Sequence, residues 1–161
     1  MIFTHSDNQI LWQAADAIRI GLQNSDALCT FSLGEWGGDA RELLSISPVL
    51  RDKLIRERII IEIHPYKSLG DRTGVDYLPA LQKLGYPILI GEMGDLPWDP
   101  QDGTTLAYNQ RLLDLIRANS ISFAWFAVDV TSPYVNHIYN QNGITDYGRL
   151  VTQYFSNHSL N

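Results

Sequence analysis

The chain has 161 residues, 45% of them hydrophobic and 19% charged, which is the size and composition of one globular domain with an apolar core. General disorder and a collagen-like or coiled-coil fibre are excluded. Twelve basic against eighteen acidic residues give a net charge of −6 without a Lys/Arg cluster, so neither nucleic acid nor an anionic membrane surface is an expected partner. No apolar run reaches about 18 residues, so no membrane-spanning helix is expected. Met1 to Asn8 lacks a basic segment followed by a long apolar one, so no signal peptide is expected. A cytoplasmic location follows if Met1 is the true start, and secretion if the chain is a fragment of a longer precursor. Cys29 is the only cysteine, which excludes an internal disulfide and a Cys-rich zinc site.

The elements alternate along the chain. Ile10, Leu11, Ala14, Ile18 and Leu22 share a helical face, with Ser6 or Asp7 as N-cap. Ala27–Leu33 is the first strand. Leu43, Leu44, Val49, Leu50 and Leu54 form the next apolar face, where Pro48 interrupts the helix or opens a second one capped by Ser47. Arg58–Ile63 is the second strand. Val75, Leu78, Leu81 and Leu84 follow it, and Gly85 is placed as the C′ glycine. Pro87–Ile90 is the third strand, followed by Leu106, Leu112, Leu113 and Ile116. Ile121–Val128 is the fourth, followed by Tyr147, Leu150, Val151 and Tyr154 behind an N-cap at Thr145.

The strand runs start 31, 29 and 34 residues apart, the period of a βα unit. Their near-continuous apolar character suits parallel strands covered on both faces. The predicted class is α/β, with residues 1–161 as one domain. Two folds compete: a small doubly wound sheet and part of a (β/α)8 barrel. The phosphate loop that often marks the first is missing, since Gly34-Glu35-Trp36-Gly37-Gly38 does not match G-x-G-x-x-G. A complete barrel takes roughly 250 residues, and this chain holds about half the units.

The chemistry collects at predicted strand C-termini, which share one rim in a parallel array. Glu35 and Trp36 follow the first strand, His64 and Tyr66 the second, and Glu92 the third; Trp125 lies in the fourth. Glu92 directly after an apolar strand is expensive unless used or paired, although a solvated Glu in a turn reads the same way. Gly91 and Gly94 beside it let backbone or substrate approach closely. His64 and Tyr66, two apart on an extended segment, point the same way and suit a carboxylate or a sugar hydroxyl. A satisfied histidine at the core edge is the plainer alternative. Trp125 and Trp36 suit either sugar stacking or the core. Metal-ligand spacing of the H-x-x-x-H or H-E-x-x-H kind is absent, and no cofactor is implied.

Four stretches then align with one family. They are Ile61-Glu62-Ile63-His64-Pro65-Tyr66, Pro87-Ile88-Leu89-Ile90-Gly91-Glu92-Met93-Gly94, Phe123-Ala124-Trp125-Phe126 and Asn142-Gly143-Ile144-Thr145-Asp146-Tyr147-Gly148. In this order they resemble the second half of glycoside hydrolase family 5, the cellulase-like family of clan A retaining glycosidases. Ala17-Ile18-Arg19 and Ala27–Gly34 with Trp36 similarly resemble its fourth helix and fifth strand. The likeness implies a partial (β/α)8 TIM barrel, with a leading helix and four βα units resembling strands five to eight. It implies Glu92 as nucleophile, Tyr66 as its orienting partner, His64 as a contact to substrate or acid/base, and Trp125 beneath the sugar. The substrate class would be a β-glucan or a related glycan, cut at O-glycosidic bonds by a retaining double displacement.

The family's acid/base glutamate, in an Asn-Glu pair closing the fourth strand, has no counterpart; Asn8-Gln9 is the nearest string. Retaining hydrolysis takes two carboxyl groups about 5–5.5 Å apart. Glu35 is the only other glutamate assigned to the rim, two strands from Glu92 and so distant for that geometry; it suits a hydroxyl contact or a solvated position better than a substitute acid. An open half barrel would also expose strand edges, which recruit other chains. A homodimer, or a complementing chain carrying the N-terminal half barrel, would close it. Three readings follow: a β-glycanase half active when complemented, a non-catalytic carbohydrate binder or truncated fragment, and an unrelated small α/β domain.

Overall fold

The computed structural model describes residues 29–32, 37, 39–56, 59–67, 76–94, 103–126 and 138–157, with positions 13, 17, 20 and 21 before them. Four parallel strands form one sheet in chain order: β1 (Cys29–Ser32), β2 (Ile59–Ile63), β3 (Ile88–Gly94) and β4 (Ser122–Phe126). Between them run α1 (Pro48–Arg56), α2 (Leu78–Lys83) and α3 (Thr104–Ala118), and α4 (Asp146–Ser156) follows β4. A small hairpin, β5 (Tyr139–Asn140) with β6 (Gly143–Ile144), precedes α4. Among the described residues no helix is long and apolar enough to cross a membrane.

The side-chain period of β2 sets the layers. Ile59, Ile61 and Ile63 are fully buried, whereas Ile60 and Glu62 between them are only partly covered. The buried set joins Leu43, Leu78, Leu81, Leu112, Leu113 and Ile116 in a single cluster. Burying each such side chain stabilises the fold by about 1.5–3 kcal/mol. The segment at Leu43, α2 and α3 therefore pack on one face of the sheet, and Leu150 and Tyr154 of α4 pack against the same cluster. A doubly wound sheet reverses its strand order at a switch point and carries helices on both faces. Among the described residues the order never reverses and these elements share one side, which is the winding of a (β/α)8 barrel. The sheet is open: among the described residues β1 pairs only with β2, and β4 only with β3.

Local signals account for the helix ends. Gly85, at φ 85°, closes α2 with two capping bonds: its N–H donates to the Gln82 carbonyl (2.8 Å) and that of Tyr86 to Leu81 (3.4 Å). Thr145 caps α4, its Oγ1 accepting the Gly148 N–H at 3.0 Å. Pro48 opens α1 rather than interrupting a longer helix. The expected apolar face of Leu43, Leu44, Val49, Leu50 and Leu54 is corrected at two positions: Leu43 is buried, but Leu44 is 37% and Val49 70% exposed, and the side chains of Leu50 and Leu54 lie outside the described residues. Arg41–Leu44 is a 3-10 turn, and α1 restarts after it, so the two segments do not share one helical phase. Gln13, Ala17, Ile20 and Gly21 are helical and exposed, while the expected apolar face at Ile10, Leu11, Ala14, Ile18 and Leu22 lies outside the described residues, as do Ser6, Asp7 and Val75.

Candidate active site

Glu92 lies inside β3, not after it; the strand runs through to Gly94. Strict alternation would then turn Glu92 toward the core, because Ile90 is buried there. A β-bulge prevents this. Ile90 pairs with Phe123 and Met93 with Trp125, so three steps on β3 face two on β4. The extra residue lets Ile90 and Met93 both reach the core, each 0% exposed, while Glu92 stays on the open face with a partly exposed side chain. Asn109 of α3 holds the end of the strand. Its buried Nδ2 donates to the Gly94 carbonyl at 2.7 Å and to the Thr105 carbonyl at 3.2 Å.

Four side chains meet on that open face. The Tyr66 hydroxyl donates to Glu92 Oε2 at 3.1 Å. The same oxygen is 3.8 Å from His64 Nδ1. On its other edge, His64 Nε2 is 3.3 Å from Glu62 Oε1. The hydroxyls of Ser32 and Thr30 in β1 also bond the Glu62 carboxylate. Burial by itself would raise the Glu62 pKa, but the His64, Ser32 and Thr30 hydrogen bonds, and the charge His64 carries only when protonated, outweigh it and hold it below its ordinary value. The His64 backbone N–H donates to the Gly37 carbonyl at 2.9 Å, which ties the segment after β2 to the segment after β1.

Gly91 completes the packing. A Cβ on it would meet the Glu62 carboxyl, with Cδ only 2.6 Å away. A Cβ on Gly94 would come within 2.6 Å of the Phe126 carbonyl oxygen. The close approach expected at these glycines is made by protein groups: the β4 backbone at Gly94 and the Glu62 carboxyl at Gly91.

Of the residues singled out from sequence, Glu92, His64 and Tyr66 come together. Trp125 lies across from Met93, half-buried against the core, and makes its ring contact with Tyr147 at 6.2 Å between centroids. Its Nε1 is shielded from solvent and has no hydrogen-bond partner. Glu35 and Trp36 lie outside the described residues. Glu62, Ser32 and Thr30 were missed. Their signal was present: polar side chains at alternate positions of otherwise apolar strands, two residues apart and so on one face.

No protein-family model and no curated protein matches the chain. Solved structures do. The catalytic domain of a mannanase from Streptomyces sp. SirexAA-E matches with a TM-score of 0.63 at 16% identity, over 91% of this chain and 48% of that one. A β-mannanase from Thermomonospora fusca matches at 0.63 and 13% identity, over 93% and 51%. A β-glucanase from Saccharophagus degradans, in complex with cellotetraose, matches at 0.61 and 16% identity, over 92% and 47%. At such identities the likeness is one of fold. The chain spans about half the length of the structures it matches, and over that half it has the fold of these TIM-barrel glycoside hydrolases. This agrees with the family resemblance in the strand-end motifs.

Proposed function

We propose that the chain supplies half of a β-mannan- or β-glucan-processing site, with Glu92 as nucleophile of a retaining double displacement. The observation that carries this reading is the bulge in β3. It lifts one carboxylate out of the core at the end of a barrel-type strand, where the Tyr66 hydroxyl orients it at 3.1 Å. The carboxylate attacks the anomeric carbon, the bond to the leaving oxygen breaks, and water later releases the glycosyl ester. Tyr66 orients Glu92, and His64 contacts a substrate hydroxyl. Trp36 and Glu35 contact hydroxyls from the segment after β1, whereas Trp125, which packs inward beside Met93, supports the strand rather than the sugar. In this reading residues 1–161 act as one unit, and further barrel strands bring the acid/base carboxyl. Those strands come from a second copy of the chain, from a complementing chain, or from a further part of a longer polypeptide.

The test uses 2-deoxy-2-fluoro mannosides and cellobiosides that carry a dinitrophenolate leaving group. That group departs as the anion, so no acid is needed. Intact mass should show one glycosyl adduct, mapping to Glu92 and absent in Glu92→Gln. Folded protein that forms no adduct with either sugar would sink the nucleophile assignment. A second reading is carbohydrate binding without turnover: Glu62, the other carboxyl in the described cluster, accepts hydrogen bonds that lower its pKa, the direction opposite to the one an acid requires. Calorimetric binding of mannohexaose or cellotetraose without any adduct would support it.

A further inference from the structure

The His64 ring lies between two carboxylates that it meets differently. Glu62 Oε1 is within hydrogen-bond distance of Nε2, at 3.3 Å, whereas Glu92 Oε2 is beyond it from Nδ1, at 3.8 Å. A neutral imidazole has one proton to place, and the nitrogen that carries it is set by the partner of that edge. Glu62 is a firm partner. Ser32 and Thr30 bond it from β1, and its carboxyl fills the space over Gly91 that a side chain there would take. From the backbone side, the Gly37 carbonyl accepts the His64 N–H, and the Gly37 Cα passes close to the ring, a Cβ there falling 3.0 Å from His64 Cγ. The ring is therefore held at one edge and along one side.

We infer that Glu62 is a positioning residue that fixes the proton of neutral His64 on Nε2 and leaves Nδ1, beside Glu92, as a hydrogen-bond acceptor. Glu62 touches no reacting atom and acts through His64. The consequence concerns recognition: the Nδ1 lone pair beside Glu92 Oε2 takes a hydrogen bond from a ligand hydroxyl seated at that carboxylate. This consequence rests on the reading of Glu92 as the reacting group. The placement of the proton does not.

The experiment is nitrogen-15 NMR of the whole chain with labelled histidine, at a pH where the ring is neutral. In wild type, His64 Nε2 should show the shift of a protonated nitrogen and Nδ1 that of a bare one. The Nε2 proton should resist solvent exchange enough to be seen. Glu62→Ala should lose that proton signal and move both nitrogens toward the averaged values of a free imidazole. Glu62→Gln, whose amide oxygen still accepts, should retain the wild-type pattern. A proton on Nδ1 in wild type would overturn the inference without any variant. So would Glu62→Ala that folds, by circular dichroism and amide spectrum, with the His64 signals unchanged. Because no glycoside is used, failure here is separable from failure of the adduct experiment.

Discussion

Tyr86 links one hydroxyl to the stability of the molecule. Its side chain is buried and donates to the Leu43 carbonyl at 3.0 Å, joining the end of α2 to the turn before α1. Burial pushes its pKa from 10.0 to about 12; Arg51 pulls it down and Asp52 pushes it further up. The folded state thus keeps a proton that the unfolded chain has already lost. This contribution is complete below pH 10 and is lost as pH rises toward about 12. Tyr86→Phe should cost about 0.5–1.5 kcal/mol near neutral pH. Urea midpoints of the two proteins should converge between pH 10 and 12, and a constant gap across that range would refute the link. The site residues were legible to different degrees at this scale. Glu92, His64 and Tyr66 stood out because charged and aromatic groups follow apolar strands. Glu62 did not, since one carboxylate within Ile59–Ile63 reads as an ordinary outward position until the ring it holds is known.

The element that matters most is the bulged strand, and its irregularity explains what the sequence concealed. Alternation and apolar runs locate strands, but a bulge leaves no periodic trace, so β3 was expected to end at Ile90. Helix ends were more legible, because Gly85 and Thr145 act through their own backbone and hydroxyl. The bulge is held by contacts on both faces: Met93 in the core and Gly91 under the Glu62 carboxyl. Gly91→Ala would place a methyl group where that carboxyl lies. Overpacking of this kind destabilises by about 1–3 kcal/mol. If the clash with Glu62 is the cause, Gly91→Ala should cost less in a Glu62→Ala background. A double-mutant cycle by urea denaturation should give a coupling of about 0.5–3 kcal/mol, the range for residues in contact. Additive effects would place the strain of Gly91→Ala in the backbone instead.

At the scale of the whole molecule, the thirty-residue rhythm made the four βα units legible, while the choice between the two windings came only with strand order and the single helical layer. Continuous apolar strands were expected to be covered on both faces. The open face departs from this, and β4 shows how: Phe123 and Trp125 pack inward, whereas Ser122, Ala124 and Phe126 are exposed. An apolar strand face beside an unpaired edge is a surface that recruits other strands. If a second copy of the chain covers it, wild type should show a sedimentation coefficient that rises with concentration. Ala124→Lys puts a charge on that face while leaving the core untouched, so its midpoint in urea should stay within about 0.5 kcal/mol of wild type. A lysine buried at such an interface without a partner should weaken association by at least about tenfold, a change of roughly 1.4 kcal/mol. Unchanged association in Ala124→Lys would place the contact elsewhere. A wild-type chain that stays monomeric throughout would remove the second copy as the partner that covers this face.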